Sequence, residues 1–223
     1  MKRFLVSQML LAFLMFGGCS HGPRVAYGHL TYSELIEQSP IVVVGLVEHK
    51  ETYWKERKRQ GSENGLPIFW YHVEVRIEVE NMLRGDLSAS PVDYTYWVPA
   101  GAKAGEWNSP REGARYVHFL RREGAELRSV VDFWPSSIRV TTGRHGTLDQ
   151  AGGLPQAIAR LLLQPGEDFD AERFDIIQAL GHASLLVGEP AALALVQRSD
   201  PRIRTQACEV FKGRPEADRL CGE

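Results

Sequence analysis

The ten residues Tyr71-His72-Val73-Glu74-Val75-Arg76-Ile77-Glu78-Val79-Glu80 alternate without a break: Val73, Val75, Ile77 and Val79 fall on one side, His72, Glu74, Arg76 and Glu78 on the other. A strand, whose successive side chains point to opposite faces, sorts this string into one apolar and one wet face. A helix would spread both kinds of residue around its circumference. The first half of the chain therefore reads as β-structure.

Working outward, Ile41-Val42-Val43-Val44-Gly45-Leu46-Val47 has no polar residue and is rich in β-branched side chains, the pattern of a buried strand. Before it, Thr31-Tyr32-Ser33-Glu34 has the T-x-x-E form of a capping box, which predicts a short helix ending ahead of Pro40. Between these strands lies a polar loop, Lys55 to Pro67. Further strands are expected at Val92 to Val98, Arg115 to Arg121, Leu127 to Phe133 and Ile138 to Thr142, with Gly, Pro, Asn or Ser in most of the turns. This density of short strands predicts a small barrel or sandwich.

The strand ending in Leu83-Arg84-Gly85 and the later Gly113-Ala114-Arg115-Tyr116-Val117-His118-Phe119-Leu120 carry a resemblance. From Tyr32 to Gly146 the chain resembles the netrin-like, or tissue-inhibitor-of-metalloproteinases-like, barrels, which are OB-type folds, and more loosely bacterial secreted proteins with such a domain. The resemblance implies an OB-type barrel and, from the animal members, a protease inhibitor whose N-terminal cysteine meets the catalytic zinc. Cys19 stands at the analogous place, but this barrel has no other cysteine, and acylation of Cys19 would block the chelating amine.

From Gly152 the period changes to that of helices. Leu154, Ile158, Leu161 and Leu162 share one face, with Pro155 in the first turn and Pro165-Gly166 at the end. Asp170 is placed to cap a second helix whose apolar face is Phe174, Ile177 and Leu180, widened by Ile176 and Ala183. A third runs from Glu189 to Arg198, and a fourth starts at Asp200-Pro201 with Ile203, Ala207, Val210 and Phe211 on one side. The stretch Leu195 to Ala207, with its Asp-Pro turn, resembles one HEAT repeat. That implies either a protein-binding surface or a helical layer that covers the barrel.

At the N-terminus, Lys2 and Arg3 precede the apolar run Phe4 to Phe16 and the small Gly17-Gly18. This is the form of an export signal, whereas a spanning helix needs roughly 20 apolar residues. Cys19 directly after Phe-Gly-Gly resembles the lipobox of bacterial lipoproteins, which implies an acylated Cys19; ordinary cleavage nearby is the alternative. Gly18-Cys19-Ser20-His21-Gly22 also fits G-x-S-x-G, but a nucleophile elbow needs a folded strand before it. Cys19 and His21 are too few to hold zinc. Giving Cys19 to a lipid leaves Cys208 and Cys221 to pair in an oxidising compartment, with Gly213 and Pro215 to turn the chain between them, or else to stand as separate thiols.

Loss of Lys2 and Arg3 with the signal takes the formal charge from −2 to −4. Such a surface does not favour nucleic acid; the expected partners are the membrane through the lipid anchor and an envelope protein or oligosaccharide. All five tryptophans lie in the barrel region. Either they fill the core, or aromatics hold a ligand, the candidates being Tyr94, Tyr96, Trp97 and Trp107. The charge run Lys55 to Arg59 is either solvated or touches lipid headgroups. The seven histidines are scattered with no H-E-x-x-H, and His72 and His118, opposite the apolar positions of their strands, are expected at the surface or an edge. Glu74, Glu78 and Asp132 are carboxylates that strands could bring together, without a motif to mark them as catalytic.

The sequence thus predicts an α+β protein: signal peptide 1–18, tether 19–30, small OB/netrin-like β-barrel 31–147 and C-terminal α-helical bundle 148–223. The expected role is a non-catalytic binding or scaffolding module of the cell envelope, without cofactor or metal. An exported hydrolase with a non-motif acidic site is the alternative, as is a protease inhibitor of netrin type.

Overall fold

A computed structural model describes residues 30–57, 68–99, 109–131, 136–146, 148–169 and 176–211. Helix α1 (Tyr32–Glu37) begins with the predicted capping box: the Thr31 side chain accepts the Glu34 N–H, and the Glu34 carboxylate accepts the Thr31 N–H at 2.6 Å. Leu35 and Ile36 are buried, and the Arg84 guanidinium donates to the carbonyls of Ile36 and Ser39, placing a cation where the helix leaves its carbonyls bare.

Six strands follow: β1 (Ile41–Arg57), β2 (Ile68–Arg84), β3 (Val92–Pro99), β4 (Arg115–Glu123), β5 (Glu126–Ser129) and β6 (Ser137–Val140). β1 and β2 form an antiparallel ribbon along their whole length, so the strand runs on through Arg57 into the predicted polar loop. Around the barrel the order is β1-β2-β3-β5-β4, and β4 returns to pair with β1 through Ile41 to Leu46. Every pairing is antiparallel except β3 with β5. The closed five-stranded mixed barrel is compatible with an OB-type fold. β6 lies beside the first half of β4, and β5 beside the second.

β1 carries the closure. Its register shifts at Val42/Val43, Val44/Gly45 and Val47/His49, and such bulges bend a strand enough to serve two neighbours. At Gly45 a Cβ would lie 2.9 Å from the Glu78 carbonyl oxygen, so only glycine lets the two strands approach there.

Two cores explain the apolar strings. Ile41, Val43, Val47, Val73, Val75, Ile77 and Leu120 fill the barrel with Tyr94, Tyr96 and Tyr116. Val42, Val44, Val117 and Phe119 point the other way, into a second core built with the helices. β1 and β4 are therefore buried on both faces, which is why Ile41 to Val47 contains no polar residue.

The helices α2 (Leu154–Leu163), α3 (Ile176–Val187), α4 (Glu189–Gln197) and α5 (Pro201–Phe211) occupy the expected positions. α2 brings Ile158, Leu161 and Leu162 to the sheet; Leu180, Ala183, Val196, Ile203 and Ala207 complete the layer. Ile177 departs from expectation: it is 64% exposed, and the face of α3 that packs is Ala179, Leu180 and Ala183. Three-residue spacing drifts around a helix of 3.6 residues per turn, and the pattern took up the wrong edge of the stripe. Asp170 and Phe174 lie outside the described residues.

A polar joint ties the helical segment to the barrel. Glu80, with a side chain only 4% exposed, receives Arg115 Nε at 3.0 Å on both carboxylate oxygens. Arg115 Nη1 also reaches Asp168 at 2.9 Å, and Arg144 Nε lies 3.7 Å from Glu80. Arg144 N–H donates to Asp168, whose pKa is lowered chiefly by that hydrogen bond.

Candidate functional site

Strand pleat and register together write a pattern on the outer face of β1, β2 and β3. Residues opposite each other share a face, and alternate residues along a strand repeat it. One row is Tyr53, His72 and Trp97; the next is Glu51, Glu74 and Thr95; the third is His49, Arg76 and Asp93. The imidazole of His72 packs on the Trp97 indole, centroids 4.6 Å apart and planes tilted by 56°. Tyr53 is 40% exposed beside them.

The carboxylate row is held by histidines of the same strands. Glu74 lies 3.4 Å from His72 Nδ1, and Glu51 lies 3.1 Å from His49 Nε2. His49 Nδ1 meets Glu112 at 3.0 Å, and its pKa is raised, first by the hydrogen bond with Glu51. In the third row Arg76 grips Asp93 with two hydrogen bonds of 2.8 and 3.0 Å.

Beside these rows the sheet opens into a groove of about 640 Å³. Its floor is His72, Glu74, Thr95 and Trp97; the β4–β5 hairpin adds Arg122, Glu126 and Arg128, and the turn before β3 adds Leu87 to Ala89. Arg128 pairs with Glu123 at 2.7 Å and Glu126 at 2.9 Å. Arg122 has no ion pair among the described residues.

Of the four predicted binding aromatics, Trp97 faces this groove. Tyr94 and Tyr96 do not: each is 1% exposed and turned into the barrel. Neighbours on a strand point to opposite faces, so Tyr96 and Trp97 could not share a surface. Tyr94 Oη meets His118 Nδ1 at 3.1 Å and Tyr96 Oη meets Ser109 Oγ at 2.8 Å, which satisfies both buried hydroxyls. Burial raises the pKa of both tyrosines. Trp107 lies outside the described residues.

His118 also departs from expectation. It is fully buried in the barrel, and desolvation pulls its pKa down to about 3, with a weaker opposing pull from the Gly45 backbone. The apolar face of Val117 and Phe119 points to a wet opposite face, but in β4 that opposite face, with Tyr116 and Leu120, is a core as well. Glu74 faces Glu51 and Thr95, not Glu78, and Asp132 is outside the described residues.

Cys208 is half-buried on α5, whereas Cys19 and Cys221 lie outside the described residues. Tyr53 and Glu51 lie on the part of β1 beyond Val47, where the apolar run that marks this strand in the sequence stops. The alternation of His49, Glu51 and Tyr53 with Lys50 and Thr52 was the available signal.

Chemically, the face offers stacking surfaces, carboxylate acceptors and guanidinium donors. No group of three or more metal-ligating side chains occurs among the described residues, and no helix there is long and apolar enough to cross a membrane. Compared with models of protein families and with curated proteins, the chain matches none.

Proposed function

We propose that this chain is a non-catalytic binding module of the bacterial cell envelope, exported by its N-terminal signal and held at the membrane by acylation of Cys19. The observation that carries the reading is the groove over β2 and β3, with the Trp97–His72 pair on its floor. Barrels of this kind use the face of their second and third strands to hold oligosaccharides or single-stranded nucleic acid. Export and a formal charge of −4 after signal removal favour the former.

The finer features follow from the same reading. Acyl chains on Cys19 contribute about 0.8 kcal/mol per buried CH₂, and more than one chain makes the attachment stable. Cys208 pairs with Cys221 in the oxidising envelope, closing a short loop that adds about 3 kcal/mol. The barrel is of netrin type without the inhibitory N-terminus, and the helices, HEAT-like in one Asp-Pro turn, cover its β1–β4 side.

Cosedimentation tests the binding role. The full chain, solubilised in mild detergent, is mixed with purified envelope sacculi and centrifuged; it should pellet with them, and Trp97→Ala should remain in the supernatant. Pelleting unchanged by Trp97→Ala would remove the groove from the account. The His72–Glu74 contact at 3.4 Å favours a second reading, an exported hydrolase with Glu74 as acid or base. Release of reducing ends from the sacculi by the wild type, abolished in Glu74→Gln, would establish it.

A further inference from the structure

The register places Glu51 directly opposite Glu74 on the exposed face of β1 and β2. Like charges in that relation destabilise a sheet. Among the described residues, each is paired with a histidine of its own strand, through His49–Glu51 and His72–Glu74. The two carboxylates lie alongside the row Tyr53, His72 and Trp97, which crosses three strands. We infer that this double row is the seat of an uncharged glycan chain lying crosswise to the strands, its sugar faces on Tyr53 and Trp97 and its hydroxyls donating to Glu51 and Glu74. The inference rests on the binding role proposed above and names its ligand.

Several physical points select this occupant. Carboxylates are acceptors only, so opposed carboxylates call for a ligand rich in donors, and hydroxyls supply them. Anionic polymers and anionic lipid headgroups would meet the same pair as repulsion. An extended peptide binds a sheet through a free strand edge, and β2 has none over this face: β1 pairs with one side of it and β3 with the other. Three strands at about 4.8 Å spacing set the outer rings, Tyr53 and Trp97, about 10 Å apart with His72 between them, so that one sugar per strand makes a trisaccharide cover the row. Aromatic rings spaced along that row suit successive sugars, which stack without reference to sequence.

Calorimetric titration of the full chain in detergent with β-1,4-linked N-acetylglucosamine oligomers tests the inference. Affinity should rise from monosaccharide to trisaccharide and then level off. Trp97→Ala, Tyr53→Ala and Glu74→Gln should each weaken binding of the trimer by about tenfold, the scale of one stacked ring or one charged hydrogen bond. Glu51→Gln should weaken it too, while leaving the thermal midpoint unchanged or higher because the like-charge pair is relieved. Heparin and oligothymidylate, both anionic polymers, should not bind. Absence of length dependence, or wild-type affinity in Trp97→Ala and Glu74→Gln chains that retain the native circular dichroism, would overturn the inference. Tighter binding of a polylysine peptide than of the trimer would replace the glycan by a cationic partner. If sacculi are still retained through Trp97 while no oligomer binds, the glycan falls and the groove stands; if neither is seen, both fall.

Discussion

Replacing Glu80 by alanine should be among the most damaging single changes to stability, although Glu80 is a member of neither apolar core. Its carboxylate is nearly sealed from water and takes the Arg115 guanidinium on both oxygens at 3.0 Å. Removing one partner of a buried ion pair costs about 3–5 kcal/mol, because the other charge stays behind without its counterion. Here Arg115 keeps Asp168 at 2.9 Å and is itself 20% exposed, which trims the loss to about 2–3 kcal/mol. In a chain of this size each kcal/mol moves the midpoint by about 2–4 °C, so Glu80→Ala should melt about 4–12 °C lower. Urea unfolding followed by circular dichroism measures the free energy, and a cycle with Arg115→Met isolates the coupling. The double variant Glu80→Leu with Arg115→Met should recover much of the loss, since apolar replacement of both partners is often neutral. A loss below about 0.5 kcal/mol, the scale of exposed pairs, would show that the joint between barrel and helices is solvated and carries no stability.

Other outcomes are open to measurement on the same chain. His118 titrates at about 3 when folded and near 6.5 when unfolded, so the unfolded chain binds more protons between those values; the stability it contributes is complete above 6.5 and is lost as pH falls, by up to about 1.4 kcal/mol per pH unit. Denaturant titrations across pH 4–7 should show that slope, and His118→Phe should flatten it. Gly45→Ala should cost about 1–3 kcal/mol through the clash with the Glu78 carbonyl, read as a lower urea midpoint, while Ile177→Lys, on the exposed side of α3, should leave the midpoint within about 0.5 kcal/mol. Intact mass of the chain from its native membrane should show acyl chains lost in Cys19→Ser, and the mass of one disulfide lost in Cys208→Ser; an unmodified, uncleaved polypeptide would overturn the export reading.

Elements were easier to read in the sequence than the directions in which they face. The alternating string Tyr71 to Glu80 specified β2 and its wet side because one of its faces meets water, and contrast between faces is what periodicity records. β4 offered no such contrast. Val117 and Phe119 pack on helices whose arrival at that surface depends on residues some forty positions later, and His118 sits among barrel residues of β3, so the histidine was assigned to solvent by a rule that assumes a single core. The binding face failed for a different reason. Tyr53, His72 and Trp97 belong to three strands and become neighbours only through register, which is set at β1 by three bulges that no local pattern announces. Tyr94, Tyr96 and Trp97 are close in the chain, but the pleat keeps the two tyrosines together inside the barrel and turns Trp97 outward, where its companions come from other strands. Surface chemistry on a sheet is therefore legible from sequence along a strand and illegible across it, and the pair Glu51–Glu74 is a case in point: ordinary as two isolated glutamates, informative once their opposition is known.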